Sequence, residues 1–219
     1  MTPRAELLRF HRIERWVHWS VGVLTLVCIA TAAILYNGSL AVLVGNRHLV
    51  EVVHVYSGFG IPIPLILGLL SRAYRLDLQR LNRFVDDDWK WLQSKARRLR
   101  AVGVGKFNAG QKLNGGLSGG SIAVLLLTGT VMFFPEWSPL NWRTGATFVH
   151  DWFALAFGLL VVGHIFYAFK DSEAMRGMRG GSVLRAWAEN EHPEWAREVK
   201  AAERPVTSDR DPKIPPRER

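Results

Sequence analysis

Charge disappears from the chain in four long stretches. No Asp, Glu, Lys or Arg occurs from Trp16 to Asn46, from Val52 to Ser71 or from Leu113 to Pro135, and Thr144 to Phe169 contains only Asp151. Each stretch reaches the roughly 20 apolar residues that a helix needs to cross about 30 Å of hydrocarbon. The pattern predicts four spans, near 17–36, 52–71, 113–134 and 147–169. Four such helices in a soluble protein of 219 residues would leave too little polar chain to cover them. The expected fold class is all-α: an integral membrane four-helix bundle with short cytoplasmic surface helices. Ile61-Pro62-Ile63-Pro64 should kink the second span, because each proline lacks an amide donor and clashes with the preceding turn.

The segments between and beyond the spans are short. Residues 1–15 read as a cytoplasmic N-terminal segment leading into a bundle of residues 16–171. The first apolar run exceeds the 7–15 residues of a signal-peptide core and ends in no clean small-x-small site, so it is expected to remain as a span. Asp86-Asp87-Asp88, followed by "WKWLQSKARRLR", reads as a surface helix with acids at its start and bases at its end, which suits the macrodipole. Residues 172–203 read as a cytoplasmic helical tail, with two short helices divided at Pro193, and residues 204–219, rich in Pro and charge, as a disordered tail.

The distribution of charge sets the orientation. Of the 28 Lys and Arg, four precede the first span, one lies between the first and second, eleven between the second and third, one between the third and fourth, and eleven follow. The positive-inside rule puts both termini and the long middle loop in the cytoplasm. The net charge of +9 lies on the flanks of apolar spans and accompanies no nucleic-acid motif, so it is read as topology and lipid contact. One cysteine, Cys28, excludes an intrachain disulfide and any thiolate iron–sulfur or zinc cluster within the chain, and is read as packing.

Four histidines stand where hydrocarbon should surround them. In the assigned orientation His18 lies just inside the cytoplasmic start of the first span, His54 just inside the outer start of the second, His150 near the outer start of the fourth and His164 near its inner end. Depth therefore pairs His18 with His164 and His54 with His150. Fourteen residues separate the two on the fourth span, a rise of about 21 Å and some 40° short of four whole turns, so both face the same side. Ionisable groups inside a membrane mark function by default. Two neutral imidazoles from facing helices can clamp a haem iron, leaving no open axial position for oxygen or substrate. The implied task is electron transfer.

Smaller features agree with flat cofactors. Gly58 and Gly60 follow His54, Gly163 precedes His164, and Gly115, Gly116, Gly119 and Gly120 crowd the third span, where small residues permit close approach of a helix or a macrocycle. Trp16, Trp19, Trp137, Trp142 and Trp152 read as interfacial belts. At the cytoplasmic entrance to the third span, "GKFNAGQK" (Gly105 to Lys112) offers the amides of Asn108 and Gln111, close approach at Gly110, and two lysines. Such a loop could hold a quinone head group, which needs hydrogen bonds to two carbonyl oxygens. It also reads as a plain helix-entry loop.

With these residues in hand the chain resembles a family, the gamma subunit (a diheme cytochrome b) of membrane-bound respiratory formate dehydrogenases. The resemblance covers nearly all of residues 9–203 and rests on "RWVHW" around His18, "HVYSG" from His54, "GKFNAGQK", the interval from His150 to His164, and "HPEWAREVKAAE" in the tail. It implies two haem b groups, the outer ligated by His54 and His150 and the inner by His18 and His164. It implies a quinone, menaquinone or ubiquinone, in contact with Asn108, Gly110, Gln111 and the edge of His164. It implies as partners an iron–sulfur beta subunit and, through it, a molybdopterin or tungstopterin catalytic alpha subunit, with a possible higher oligomer of the heterotrimer in the bacterial inner membrane. The chain itself would not oxidise formate. The same histidine pattern is shared by cytochrome b subunits of nickel–iron hydrogenase or thiosulfate reductase type, and a haem-free membrane anchor using histidines as a proton relay is the remaining alternative.

Overall fold

A computed structural model describes residues 5–93 and 103–203. The distal part of the expected surface helix after Gln93 and the tail 204–219 lie outside the described residues. Four helical stretches are long and apolar enough to cross a membrane: Arg12–Tyr36, Arg47–Gly68, Ala109–Phe133 and Leu140–Lys170. The first is α1; α2 (Gly38–Val44) is a short helix joining it to the second. The second stretch is two helices, α3 (Arg47–Gly60) and α4 (Pro62–Gly68). The break at Ile61 has the cause that its sequence suggests: the Ile61 amide bonds back to Gly58, three residues before, and Pro62 starts a new helix without needing a donor. After α5 (Arg72–Asn82) and α6 (Asp86–Gln93) come α7 (Ala109–Phe133) and α8 (Leu140–Lys170), joined by a 3-10 turn at Pro135–Trp137.

Helix ends follow side-chain caps, whereas apolar runs mark only the middles. Asn37, Asn46, Ser71, Asn108 and Asp171 each accept a hydrogen bond from the backbone N–H three residues on. Asn108 therefore starts α7 at Ala109, ahead of the apolar run. α8 starts at Leu140 and carries Arg143 in its second turn, and at 31 residues its length of about 46 Å exceeds the hydrocarbon thickness.

The bundle is two hairpins. α1 packs along α3 and α4, and α7 packs along α8, while the hairpins meet chiefly where α3 touches α7. Many large apolar side chains on the spans are exposed, among them Ile66 at 62% and Leu159 at 66%. Lipid is as apolar as leucine, so such a surface costs nothing in a bilayer and much in water. These four helices make the chain a membrane protein.

A small cap stands at the end of the bundle where α1 and α7 begin and α8 ends. α9 (Ser172–Gly180) ends at Gly181, whose φ of 96° suits glycine, and a Cβ there would stand 2.8 Å from the Phe10 carbonyl. The chain then forms β2 (Ser182–Leu184), antiparallel to β1 (Glu6–Leu8), with Leu7 opposite Val183. α10 (Arg185–Glu191) and α11 (Pro193–Glu203) close over this ribbon, burying Leu7, Val183, Ala188, Trp195 and Ala196 together. The ribbon is the one departure from an all-α reading among the described residues. Its three-residue strands are too short to show alternation, and their pairing joins segments about 175 residues apart.

Candidate functional site

The histidines lie at the seam between the hairpins. His18 on α1 faces His164 on α8 with ring centroids 6.0 Å apart, and His54 on α3 faces His150 on α8 at 6.3 Å. In both pairs one ring comes from each hairpin. A metal–imidazole bond is about 2 Å, and a five-membered ring adds about 1.1 Å from nitrogen to centroid, so two imidazoles on one metal have centroids roughly 6 Å apart. The spacing thus fits a single ion between each pair. Among the described residues no three His, Cys, Asp or Glu side chains gather as they would for an ion held by protein alone. Pairs suit an iron whose remaining ligands come from a macrocycle.

Two threonines orient the pair farther from the cap. Thr31 Oγ1 on α1 is 2.9 Å from His54 Nδ1 and also donates to its own helix, 2.7 Å from the Val27 carbonyl. Thr128 Oγ1 on α7 repeats the arrangement, 2.9 Å from His150 Nδ1 and 2.8 Å from the Val124 carbonyl. A hydroxyl has one proton. With that proton committed to the helix carbonyl, the oxygen accepts from the imidazole Nδ1–H. Each ring is then the tautomer whose Nε2 carries a free lone pair, the form that ligates metal. Cys28 contributes beside them, its thiol 3.7 Å from the His54 carbonyl.

The pair nearer the cap is held differently. Asn114 on α7 reaches His164 Nδ1 at 3.4 Å, while His18 Nδ1 is buried with no hydrogen-bond partner and the ring stands edge-on to Trp19. Open space adjoins both pairs. Gly22 and Gly58 stand four residues after His18 and His54, hence on the same helix faces, and a Cβ on either would meet no atom within 4 Å. Gly116, Gly119, Gly120 and Gly163 are likewise open, whereas Gly60 touches Leu24 and Gly115 touches Leu81. Thr31, Thr128, Asn114 and Gly22 were not evident as site residues in the sequence. The threonines sit 23 and 22 residues before the histidines that they hold, and only the folded hairpins bring them together.

The loop before α7 is a structured helix entry. Asn108 Oδ1 accepts from the Gln111 amide at 2.9 Å, and Gln111 Oε1 accepts from the Asn108 amide at 3.0 Å, a reciprocal capping box. Gly110 has a packing reason: a Cβ would stand 3.2 Å from the Trp91 ring. The side-chain amide nitrogens, Asn108 Nδ2 and Gln111 Nε2, take no part in the box and remain available as donors. Asn108, Gln111 and Asn114 follow one another at three-residue intervals along α7, leading from the loop to His164.

The cap fixes this loop from behind. His192 Nδ1 donates to the Gly105 carbonyl at 2.7 Å, the Glu194 amide to Val104 at 3.1 Å, and Arg9 to the Lys106 carbonyl at 2.9 Å. His192 is 2% exposed, and burial, with the Arg9 guanidinium 3.1 Å from its Nε2, lowers its pKa from 6.5 to about 3. Lys106 is buried with its Nζ 2.5 Å from Asp77 Oδ2 and 3.8 Å from Glu14 Oε1, and desolvation lowers its pKa against the pull of both acids. Lys112 pairs with Asp88 at 2.6 Å.

The chain is similar to known proteins over most of its length. The chain is 25% identical over 214 residues to the cytochrome b556(Fdn) subunit of the nitrate-inducible formate dehydrogenase of Escherichia coli K12, which covers 93% of this chain and 96% of that one. It is 26% identical over 217 residues to the cytochrome b556(fdo) subunit of formate dehydrogenase from the same organism, at 91% and 96%. To the formate dehydrogenase cytochrome b556 subunit of Haemophilus influenzae it is 25% identical over 206 residues, at 88% and 83%. Residues 9–181, which contain all four spans and all four facing histidines, match the family described as prokaryotic cytochrome b561, a family of b-type haem proteins, and the chain belongs to that family.

Proposed function

We propose that the chain is the membrane cytochrome b subunit of a formate dehydrogenase, passing electrons from an iron–sulfur partner through two b-type haems to membrane quinone. The observation that carries the reading is the two facing imidazole pairs, whose ring centroids at 6.0 and 6.3 Å match the separation of two imidazoles on one metal. His54 and His150 hold the outer haem, His18 and His164 the inner one. Bound there, the haems supply one-electron transfer across the membrane. With a histidine from each hairpin holding the iron, such a group would serve electron transfer and would leave oxygen no open site. The charge distribution supports a topology with both termini and the cap in the cytoplasm of a bacterial cell and the inner pair at the cytoplasmic end.

Quinone is reduced beside the inner pair. The Asn108 and Gln111 amide nitrogens donate to its carbonyl oxygens, and the α7 stripe that continues to Asn114 puts the ring next to His164. Gly110 keeps the Trp91 side of the loop close. Electrons moving inward while protons are taken from the cytoplasm store roughly 2.3 kcal/mol per charge per 100 mV. The partners are an iron–sulfur beta subunit at the outer face and, through it, a molybdopterin or tungstopterin alpha subunit, in a heterotrimer that can assemble further.

The Asn108→Ser variant tests the quinone step. Serine keeps the helix cap and removes the amide donor, whereas leucine would also cost the cap, about 1 kcal/mol. Losing one hydrogen bond to a dry carbonyl costs roughly 1–3 kcal/mol, so the quinone KM is expected to rise about five- to a hundredfold with both haems retained. An unchanged quinone KM means that the site lies elsewhere and the loop only starts α7. Copurification with an iron–sulfur subunit and a formate-oxidising subunit tests the partner assignment, and a hydrogenase or thiosulfate reductase subunit in their place contradicts it.

A further inference from the structure

Glu14, Asp77 and Lys106 form a buried cluster that the haem ligands do not use. Their side chains are 5%, 7% and 7% exposed. Lys106 bonds Asp77 at 2.5 Å, while Glu14 Oε1, 3.8 Å from the same ammonium, makes no hydrogen bond. Its other oxygen, Oε2, accepts the His11 backbone amide at the start of α1. Two buried carboxyl groups thus share one lysine. With both ionised, one buried lysine faces two negative charges, and Arg80 beyond Asp77 is half exposed and shared with Glu198, so the excess negative charge is costly out of water and is relieved by a single proton. The group with a vacant oxygen to carry that proton is Glu14.

Position gives the cluster a task. Glu14 precedes His18 by four residues and so lies one turn away on the same face of α1. Lys106 precedes Asn108 by two residues in the loop assigned to quinone. On the other side, Asp77 on α5 lies 3.8 Å from Arg80, which is 45% exposed and reaches Glu198 on α11 at 3.2 Å. The cluster therefore stands between cytoplasmic solvent and the quinone loop. The charged groups facing it are Asp77 and Arg80 from α5 and Lys106 from the loop, with Arg9 on the Lys106 carbonyl behind.

We propose that Glu14 is the proton donor to quinone, reloaded from the cytoplasm beside Asp77 and Lys106. The inference rests on the quinone site proposed above. Two electrons from the inner haem and two protons turn one quinone into quinol. For each proton the O–H bond of Glu14 breaks, a new O–H bond forms on a quinone oxygen, and the carboxylate left behind takes the next proton from solvent on the Asp77 side.

The test uses the intact complex, with formate as donor and a soluble ubiquinone analogue as acceptor, and rates expressed per spectroscopically intact haem so that partial loss of folded protein does not move them. Glu14→Gln keeps the oxygen that accepts the His11 amide and removes the transferable proton. It should lower kcat at least about tenfold with the quinone KM within about twofold of wild type, unchanged haem spectra and an unchanged formate-to-dye rate. Glu14→Asp should restore most of the rate. Asp77→Asn, which removes the neighbouring negative charge, should move the alkaline limb of the kcat profile to lower pH, an effect that a purely structural role does not produce. If Glu14→Gln retains the wild-type kcat and pH profile while Asn108→Ser raises the quinone KM, the donor assignment alone is overturned. If neither variant alters quinone kinetics, the quinone site lies elsewhere and the donor assignment falls with it.

Discussion

Thr31 on α1 and His54 on α3 are joined by a 2.9 Å hydrogen bond between Oγ1 and Nδ1, which fixes the imidazole with its Nε2 lone pair free. The bond crosses from one helix of a hairpin to the other, and Thr128 with His150 repeats it in the second hairpin. In the proposed function, the fold thereby orients both imidazoles before a metal binds. Groups that orient a ligand in this way typically contribute 10–100-fold to metal affinity or activity.

Thr31→Val keeps the branched shape and deletes the hydroxyl. It should lower the affinity for the outer haem by about tenfold and shift its reduction potential, leaving the inner haem unaltered. Thr128→Val should do the same, and the double variant more than either. Redox titration of each haem and haem content per chain provide the check; potentials identical to wild type in the double variant contradict the role.

His54→Ala and His150→Ala should each abolish the outer haem and electron entry from the donor, while the inner haem remains reducible by added quinol. Loss of the inner haem signal in place of the outer would reverse the pairing of sites with membrane faces.

Much of this was legible in the sequence, for stated reasons. Charge-free runs revealed the four spans because hydrocarbon tolerates no alternative, and the depths of His18, His54, His150 and His164 gave the pairs that the structure brings face to face. Helix ends were less legible, since α7 and α8 begin well before their apolar runs under local capping and turn chemistry. The β1–β2 ribbon left no periodic trace, and the threonine partners are ordinary residues until the hairpins close. "GKFNAGQK" was ambiguous between a quinone loop and a helix entry, and the capping box of Asn108 with Gln111 makes it a helix entry whose amide donors are still free for a ligand.

Gly22 and Gly58 test the space beside the rings. Gly22→Leu should favour the helix locally by nearly 1 kcal/mol yet reduce inner haem occupancy, because the new side chain enters the open volume next to His18. Gly58→Leu should do so for the outer haem. Full occupancy in both variants would put that volume on the lipid side.

The cap predicts a pH dependence. His192 is neutral when folded, with a pKa near 3 against 6.5 for the free side chain, so between those values the unfolded chain binds more protons. Stability from this group is complete above about pH 6.5 and is lost as pH falls below it, at up to about 1.4 kcal/mol per pH unit. Thermal unfolding in detergent from pH 7.5 to 5 should show a decline that His192→Asn removes. An identical slope in the variant assigns the decline to other groups.

Counting haem tests the whole account most directly. A pyridine haemochrome assay on the purified chain, set against protein determined by amino-acid analysis, is expected to return two b-type haems per chain, with a low-spin bis-imidazole spectrum. One haem per chain, or a high-spin spectrum with an open axial position, would contradict the reading of two facing histidine pairs as two electron-transfer sites.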